Sequence, residues 1–255
     1  MSTSEDDLKP LFIVAVKRIV ESCNSCEPVN DAILNSMKVC GDQSVGIVGK
    51  VCRKGLKDFP ERGVKWINDT PYKPDSSIKR LVLILESPHV HEFDVNGDAK
   101  GPAKHQTGVA IRCYLEDILG PSISDLKDRE LILVNAVQFQ CSLGRDMSRE
   151  TCKGRINRHI KNCIFDELIR MREFRVNLKY RMGLVFRPNS DDLIVNAVSI
   201  GTSTSCCVSR IVSELTGECS CGIGHPSGWC KTKENAKRIA SQNAVYCSRR
   251  STEDK

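Results

Sequence analysis

Residues 79–92 read Lys-Arg-Leu-Val-Leu-Ile-Leu-Glu-Ser-Pro-His-Val-His-Glu. Two basic residues lead into an unbroken branched apolar run, Leu81–Leu85, which stops at a carboxylate two residues before a proline. A strand without polar alternation is buried on both faces, as happens in a parallel sheet covered by helices. Similar runs recur at Leu131–Val137 and Leu193–Val198. Between and after them lie helical stretches: Val109–Leu119, ended by Gly120-Pro121, then a long basic helix over Arg149–Met171, then Ser205–Leu215. Ile223 leads into a Gly/Pro loop, and Lys233–Ala244 reads as a last helix. Strands alternating with helices predict an α/β fold, three layers α/β/α around a central parallel sheet.

Upstream of this stretch the pattern is helical. Leu8–Ser22 has apolar residues at 8, 11, 12, 15, 16, 19 and 20, one face of a helix. A second helix is expected from Pro28 through Asn35 and Met37, and Pro60–Pro74 is turn-rich around Trp66. The organisation expected is a helical N-terminal portion, 1–78, packed on an α/β domain, 79–247, with a polar tail, 248–255. Leu133–Val137 echoes Ile194–Val198 as Val-Asn-Ala-Val, which reads as two similar buried strands, since no fixed period supports a repeat.

Composition narrows the class. The chain has 255 residues, 40% hydrophobic and 27% charged, which excludes collagen-like and disorder-dominated polymers. Its apolar runs are far shorter than the roughly 20 residues of a spanning helix, so no membrane association is expected. The first ten residues are acidic and polar, without an export or mitochondrial signal. A cytoplasmic, reducing location is therefore expected, with the 14 cysteines as thiols. The net charge of +6 is uneven: Arg145–Arg187 holds twelve Lys/Arg against five Asp/Glu, a local +7 on a nearly neutral body. Such a block suits a polyanion, while a solvated helix face is the plainer alternative.

Ligands in open parallel sheets bind beyond the carboxyl ends of the strands. Those ends carry Glu86–Glu92 after the first strand, Asn135 and Gln138 after the second, and Gly224–Trp229 late in the chain. A carboxylate can orient water or stabilise a developing cation, a histidine can stabilise a departing anion, and an amide can read a base edge.

In these motifs the chain resembles the uracil-DNA glycosylase superfamily, from about Leu81 to Asn243. Leu81–Glu92 is similar to the first family motif, especially in the iron–sulfur branch. Gly101–Leu119 resembles the following loop and helix, and Leu131–Val137 the strand whose terminal Asn reads the pyrimidine. Leu193 to Leu215 resembles the late strand and helix, and Gly224–Trp229, Gly-His-Pro-Ser-Gly-Trp, the His-Pro-Ser loop. The resemblance implies that Glu86 positions water or stabilises the sugar cation, with Glu92 as the competing carboxylate. It implies that Asn135 bonds the flipped base, with Pro88, His89, Ala103 and Phe93 around it, and that His225 stabilises the leaving base. Ser227 would contact a phosphate and Trp229 would be the intercalating wedge, with Lys104, His105, Arg145 and Lys231 as further DNA contacts. The implied reaction is hydrolysis of an N-glycosidic bond by a monomer, without lyase activity, leaving an abasic site.

This chain also departs from the family pattern. Ser87 stands where family 1 enzymes carry Asp, and Leu85 and His89 replace the glycines of the iron–sulfur branch. Ala103 falls where an aromatic residue stacks on uracil, with Phe93 and His105 near enough in sequence to substitute. A small residue there suits a bulky modified pyrimidine, such as glycosylated 5-hydroxymethylcytosine of phage DNA, and an anti-phage role. No cofactor is expected. An iron–sulfur cluster or zinc, if present, would use Cys23, Cys26, Cys141 and Cys163, with Cys152 in the same region and a second group of Cys219, Cys221 and Cys230 around His225; buried apolar thiols are the alternative. Two other classes compete: a catalytically inactive DNA-binding protein of the same fold that senses unusual DNA, and a hydrolase or transferase acting on free nucleotides.

Overall fold

The structure, a computed structural model, describes residues 5–23, 39–48, 50, 65–66, 75–94, 96, 98–101, 103, 106–142, 151–188, 190–198, 203–217, 223–229, 234 and 237. In chain order the elements are α1 (Glu5–Ser22), β1 (Gln43–Ile47), β2 (Lys65–Trp66), β3 (Arg80–Leu85), α2 (Gln106–Leu119), β4 (Glu130–Asn135), α3 (Cys152–Arg170), α4 (Arg172–Val185), β5 (Leu193–Asn196) and α5 (Ser203–Thr216). Single 3-10 turns occupy Val90–Glu92, Leu126–Asp128 and Pro226–Gly228.

The decisive strand, β3, is buried at every position and lies between β4 and β5, parallel to both. Leu81, Leu83 and Leu85 face one side, packed with Ile111, Leu115 and Ile118 of α2. Val82 and Ile84 face the other, packed with α1, α3, α4 and α5 through Phe12, Ile164, Leu178 and Val208. Helices therefore cover both sides of the sheet, and the strand shows no alternation because neither face meets water.

The five-stranded sheet has the order β2-β1-β4-β3-β5. Only β3, β4 and β5 are parallel. β1 runs antiparallel to β4, with Gln43 opposite Leu133 and an irregularity between Ser44 and Gly46, and β2 runs antiparallel to β1. The sheet is thus mixed, and the portion before residue 79 is not simply helical, since it contributes two strands. β1 is Gln-Ser-Val-Gly-Ile, short and Gly-containing, so its pattern is weak without its neighbours. The basic helix also differs from expectation. α3 starts at Cys152, capped by Thr151 Oγ1 accepting from the Gly154 N–H at 2.9 Å. An extended Met171 separates it from α4, a helix the sequence pattern missed because no Gly or Pro marks the break. The helix expected over 28–37 lies outside the described residues, as does that over 233–244 apart from Glu234 and Lys237.

Candidate functional site

The parallel register sets Leu85 opposite Asn135 and Ile84 opposite Asn196, so β3, β4 and β5 end at one level. Glu86 is the first residue beyond β3, and its carbonyl accepts from the Val137 N–H at 3.0 Å. Its side chain turns to the α3 side of the sheet and forms an ion pair with Lys161, the two side chains being 9% and 19% exposed. Neighbouring Ile160 and Ile164 anchor α3 in the core, which fixes where Lys161 emerges.

The loop after β5 returns to this end of the sheet. The Ile223 N–H donates to the Asn196 carbonyl at 2.9 Å, and Gly224 takes φ +82°, a conformation that favours glycine. His225 follows, N-terminal to the 3-10 turn Pro226–Gly228. Its Nδ1 accepts from the Ser227 N–H at 3.4 Å and lies 2.9 Å from Ser227 Oγ. An accepting Nδ1 leaves the ring proton on Nε2, which becomes a donor. Burial lowers the imidazole pKa; the Glu86 carboxylate pulls it back up and the Lys161 ammonium pushes it further down. Glu86, Lys161 and His225 therefore form one electrostatic cluster.

Trp229 corrects the sequence reading. It is fully buried in the α2-side core, and its Nε1 donates to the Gly224 carbonyl at 3.0 Å. The side chain braces the His225 loop from beneath and is not placed to enter a DNA stack. An indole with an internal acceptor and an apolar shell gains more from packing than from exposure.

A second cluster lies on the α2 side of the sheet. Glu92 closes the 3-10 turn after Pro88, donating its N–H to the His89 carbonyl at 2.8 Å, and its Oε1 accepts from the Ala103 N–H at 3.0 Å. Ala103 adopts φ +59° to aim that donor, a left-handed conformation that costs a non-glycine residue about 1 kcal/mol. Burial pushes the Glu92 carboxyl up to about 8, against the pull of the Ala103 and His89 backbone and the Asn135 amide. Gln43 shares this sheet face, since it pairs with Leu133, two residues before Asn135. Gly101, at φ +126°, crosses so close that a Cβ there would stand 2.6 Å from Gln43 Oε1. Among the described residues, Gln43 Oε1 and Nε2 and Gln138 Nε2 are buried without a hydrogen-bond partner. Each such atom costs about 1–3 kcal/mol.

Behind Asn135, Arg181 of α4 holds the strand end. Its Nη1 lies 2.7 Å from both Asp42 carboxylate oxygens, and its Nη2 donates to the Asn135 and Ala136 carbonyls at 3.0 and 3.3 Å. Lys161, Lys179, Arg181 and Arg187 of the basic block all sit in ion pairs, with Glu86, Glu214, Asp42 and Asp192. The +7 block is thus partly internal structure rather than wholly a surface for phosphates.

The other expected residues are scattered. Pro88 is buried, His89 is half-buried with its ring 4.9 Å from His91, and Phe93 is half-buried and bridged to Ala99. Ser227 is exposed beside His225. Lys104, His105, Arg145, Lys231 and Cys26 lie outside the described residues, as do Cys219, Cys221 and Cys230. Cys141 is buried, its thiol facing the Phe139 carbonyl at 3.5 Å, and burial pushes its pKa up to about 12, which disfavours the thiolate a metal needs. Cys163 meets His159 Nε2 at 3.6 Å, and burial raises its pKa with Asp166 and Cys23 adding to it. Among the described residues, no three His, Cys, Asp or Glu side chains are grouped to hold a metal ion. Sequence reasoning missed Lys161, Gln43 and Arg181; two belonged to the basic block, where nothing separates an inward cation from a solvated one.

No family model matches the chain, and neither a curated protein nor a solved structure matches it. Among the described residues, no helix is long and apolar enough to cross a membrane.

Proposed function

We propose that this chain is a DNA glycosylase of the uracil-DNA glycosylase superfamily, hydrolysing the N-glycosidic bond of a flipped pyrimidine, uracil or a bulky modified base, to leave an abasic site. The observation that carries the reading is the Glu86–Lys161–His225 cluster at the carboxyl ends of the parallel strands, the level at which Asn135 ends β4. Two carboxylates in opposite environments support a division of labour. Glu86, paired with an ammonium, is held as an anion suited to a sugar cation; Glu92, buried among amide groups, is held as an acid.

In this reading the C1′–N bond breaks as positive charge grows on the sugar, and Glu86 stabilises that charge and accepts the proton of the attacking water. The departing pyrimidine carries the bond's electron pair, and His225 donates from Nε2 to its oxygen while staying neutral. The low imidazole pKa suits this, since a neutral donor leaves the base to depart as an anion. Asn135 bonds the extruded base. Lys161 is a positioning residue, acting through Glu86. DNA is the partner, and the proposed enzyme works as a monomer in the cytoplasm, without a cofactor.

Mass spectrometry of bases released from duplexes carrying different modified pyrimidines tests the reading. Release by the natural chain and loss of release in Glu86→Gln and His225→Asn are expected. Undiminished release in Glu86→Gln would refute the mechanism, and duplex binding without any release would favour a DNA sensor of the same fold.

A further inference from the structure

Cys40 and Cys141 are sealed in the interior, whereas Cys23, at the end of α1, and Cys163, on α3, are half-buried. The seam between these two helices has a readable register. Phe12 of α1 stacks on Phe139 at 4.8 Å, and Phe139 meets Phe174, at the start of α4, at 6.0 Å. Further along α1, Arg18 pairs with Glu167 of α3. Contacts thus advance along α1 while they retreat through α4 and α3, as in an antiparallel pair. From Arg18 to Cys23 is five residues and from Glu167 back to Cys163 is four, about 7.5 and 6 Å of helix. The two thiols therefore arrive at the same level.

Both also face the seam. Cys163 lies one turn before Glu167, on the same face of α3. Cys23 continues the row of Ala15 and Ile19, which packs into the core with Ile160 and Ile164 of α3. Its N–H donates to the Val20 carbonyl at 3.1 Å, so the chain still turns with α1 at that point. The thiols act on each other as well: burial, Asp166 and then Cys23 raise the Cys163 pKa. Helices packed about 8–10 Å apart bring opposed Cα atoms to within about 5 Å, and a disulfide spans about 4.5–7 Å. His159, one turn before Cys163, places Nε2 3.6 Å from the Cys163 sulfur. An imidazole with its hydrogen on Nδ1 offers Nε2 as the acceptor for the thiol proton.

We propose that Cys23 and Cys163 are a reversible disulfide pair, a modification site at which a small disulfide oxidant staples the end of α1 to α3. The Cys163 sulfur attacks one sulfur of oxidised glutathione as its proton passes to His159 Nε2. The S–S bond of the oxidant breaks, and the departing glutathione thiolate takes that proton. Cys23 then attacks the mixed disulfide at the Cys163 sulfur, and the second glutathione leaves with the Cys23 proton. Two protein thiols lose two electrons, and one glutathione disulfide becomes two thiols. The staple closes on the helix that presents Lys161 to Glu86, two residues from Cys163, without entering that cluster. The inference is independent of the glycosylase reading.

The experiment holds the full folded chain in buffers of fixed reduced-to-oxidised glutathione ratio. Samples are quenched with acid, the remaining thiols are alkylated, and peptides are mapped by mass spectrometry. A Cys23–Cys163 peptide pair is expected under oxidising ratios, and its loss on adding dithiothreitol. Closing so long a loop should raise the Tm of the oxidised natural chain by about 5–10 °C. Cys23→Ser and Cys163→Ser should each abolish the rise, and the peptide map of the natural chain decides the pairing even if either variant fails to fold. His159→Asn should slow bond formation at least about tenfold and leave the oxidised fraction at equilibrium unchanged. A bond from Cys23 to Cys26, a lasting glutathione adduct on Cys163 with Cys23 alkylated, or a Tm unmoved by oxidation would each overturn the pair. A rate unmoved in His159→Asn would overturn the proton transfer to His159.

Discussion

Replacing Glu92 by Gln tests the buried acid through stability alone, without a substrate. In the unfolded chain the carboxyl ionises near 4.5, and in the folded chain at about 8. Between those values the native state keeps a proton that the unfolded state releases, so stability falls as pH rises. The contribution is fully present below 4.5 and is lost as pH climbs through 8. The slope is about 1.4 kcal/mol per pH unit, so from about pH 5.5 to about pH 7.5 the natural chain loses about 3 kcal/mol from this group. Gln presents a neutral group of the same shape and has no such titration. Urea unfolding at several pH values in this range should show Glu92→Gln gaining on the natural chain as pH rises. Other titrating groups are common to both proteins and cancel in the difference. A stability gap that stays constant across the range would mean that Glu92 is already ionised in the folded protein, and the reasoning would fail.

Four further outcomes follow from the packing. Lys161→Met leaves Glu86 shielded from water without its cation and should cost about 3–5 kcal/mol in urea unfolding, most of it regained in the Lys161→Met/Glu86→Gln double variant. Gly101→Ala forces a side chain into a glycine-only conformation and against Gln43 Oε1, and should lower stability by about 1–3 kcal/mol in thermal melts. Arg181→Met strands Asp42 in the interior and should cost about 3–5 kcal/mol, with unfolding at equal pH as the measurement. Trp229→Phe removes the hydrogen bond to Gly224 and should slow base release while leaving duplex affinity unchanged; a large loss of affinity would restore the wedge.

Much of the core was legible because it rests on local pattern. Leu81–Leu85 and Leu131–Val137 are apolar runs whose burial on two faces needs no other information, and Leu8–Ser22 carries its helical period openly. β1 was not legible. Five residues with a glycine acquire strand geometry only from pairing with β4, a contact distant in sequence. The same distinction governs the site. Glu86, Asn135 and His225 stand at strand ends or in a Gly/Pro loop, where sequence punctuation marks them. Lys161 does not: its role depends on which face of α3 turns inward, and charge alone is the same on either face. Trp229 failed for the opposite reason, since a large apolar residue after a loop suits a wedge or a core equally well until its neighbours are known.

The buried Asp42–Arg181 pair has a consequence for how far the molecule is modular. Asp42 comes from the segment before residue 79, Arg181 from α4, and the same guanidinium carries the backbone of Asn135. A boundary drawn at residue 78 would therefore cut through the polar interior rather than between two bodies. A chain shortened to start at Lys79 would keep the three parallel strands, yet it would leave an unmatched cation beneath the end of β4 and expose that strand's flank. The early segment therefore belongs to the same polar interior that holds the end of β4.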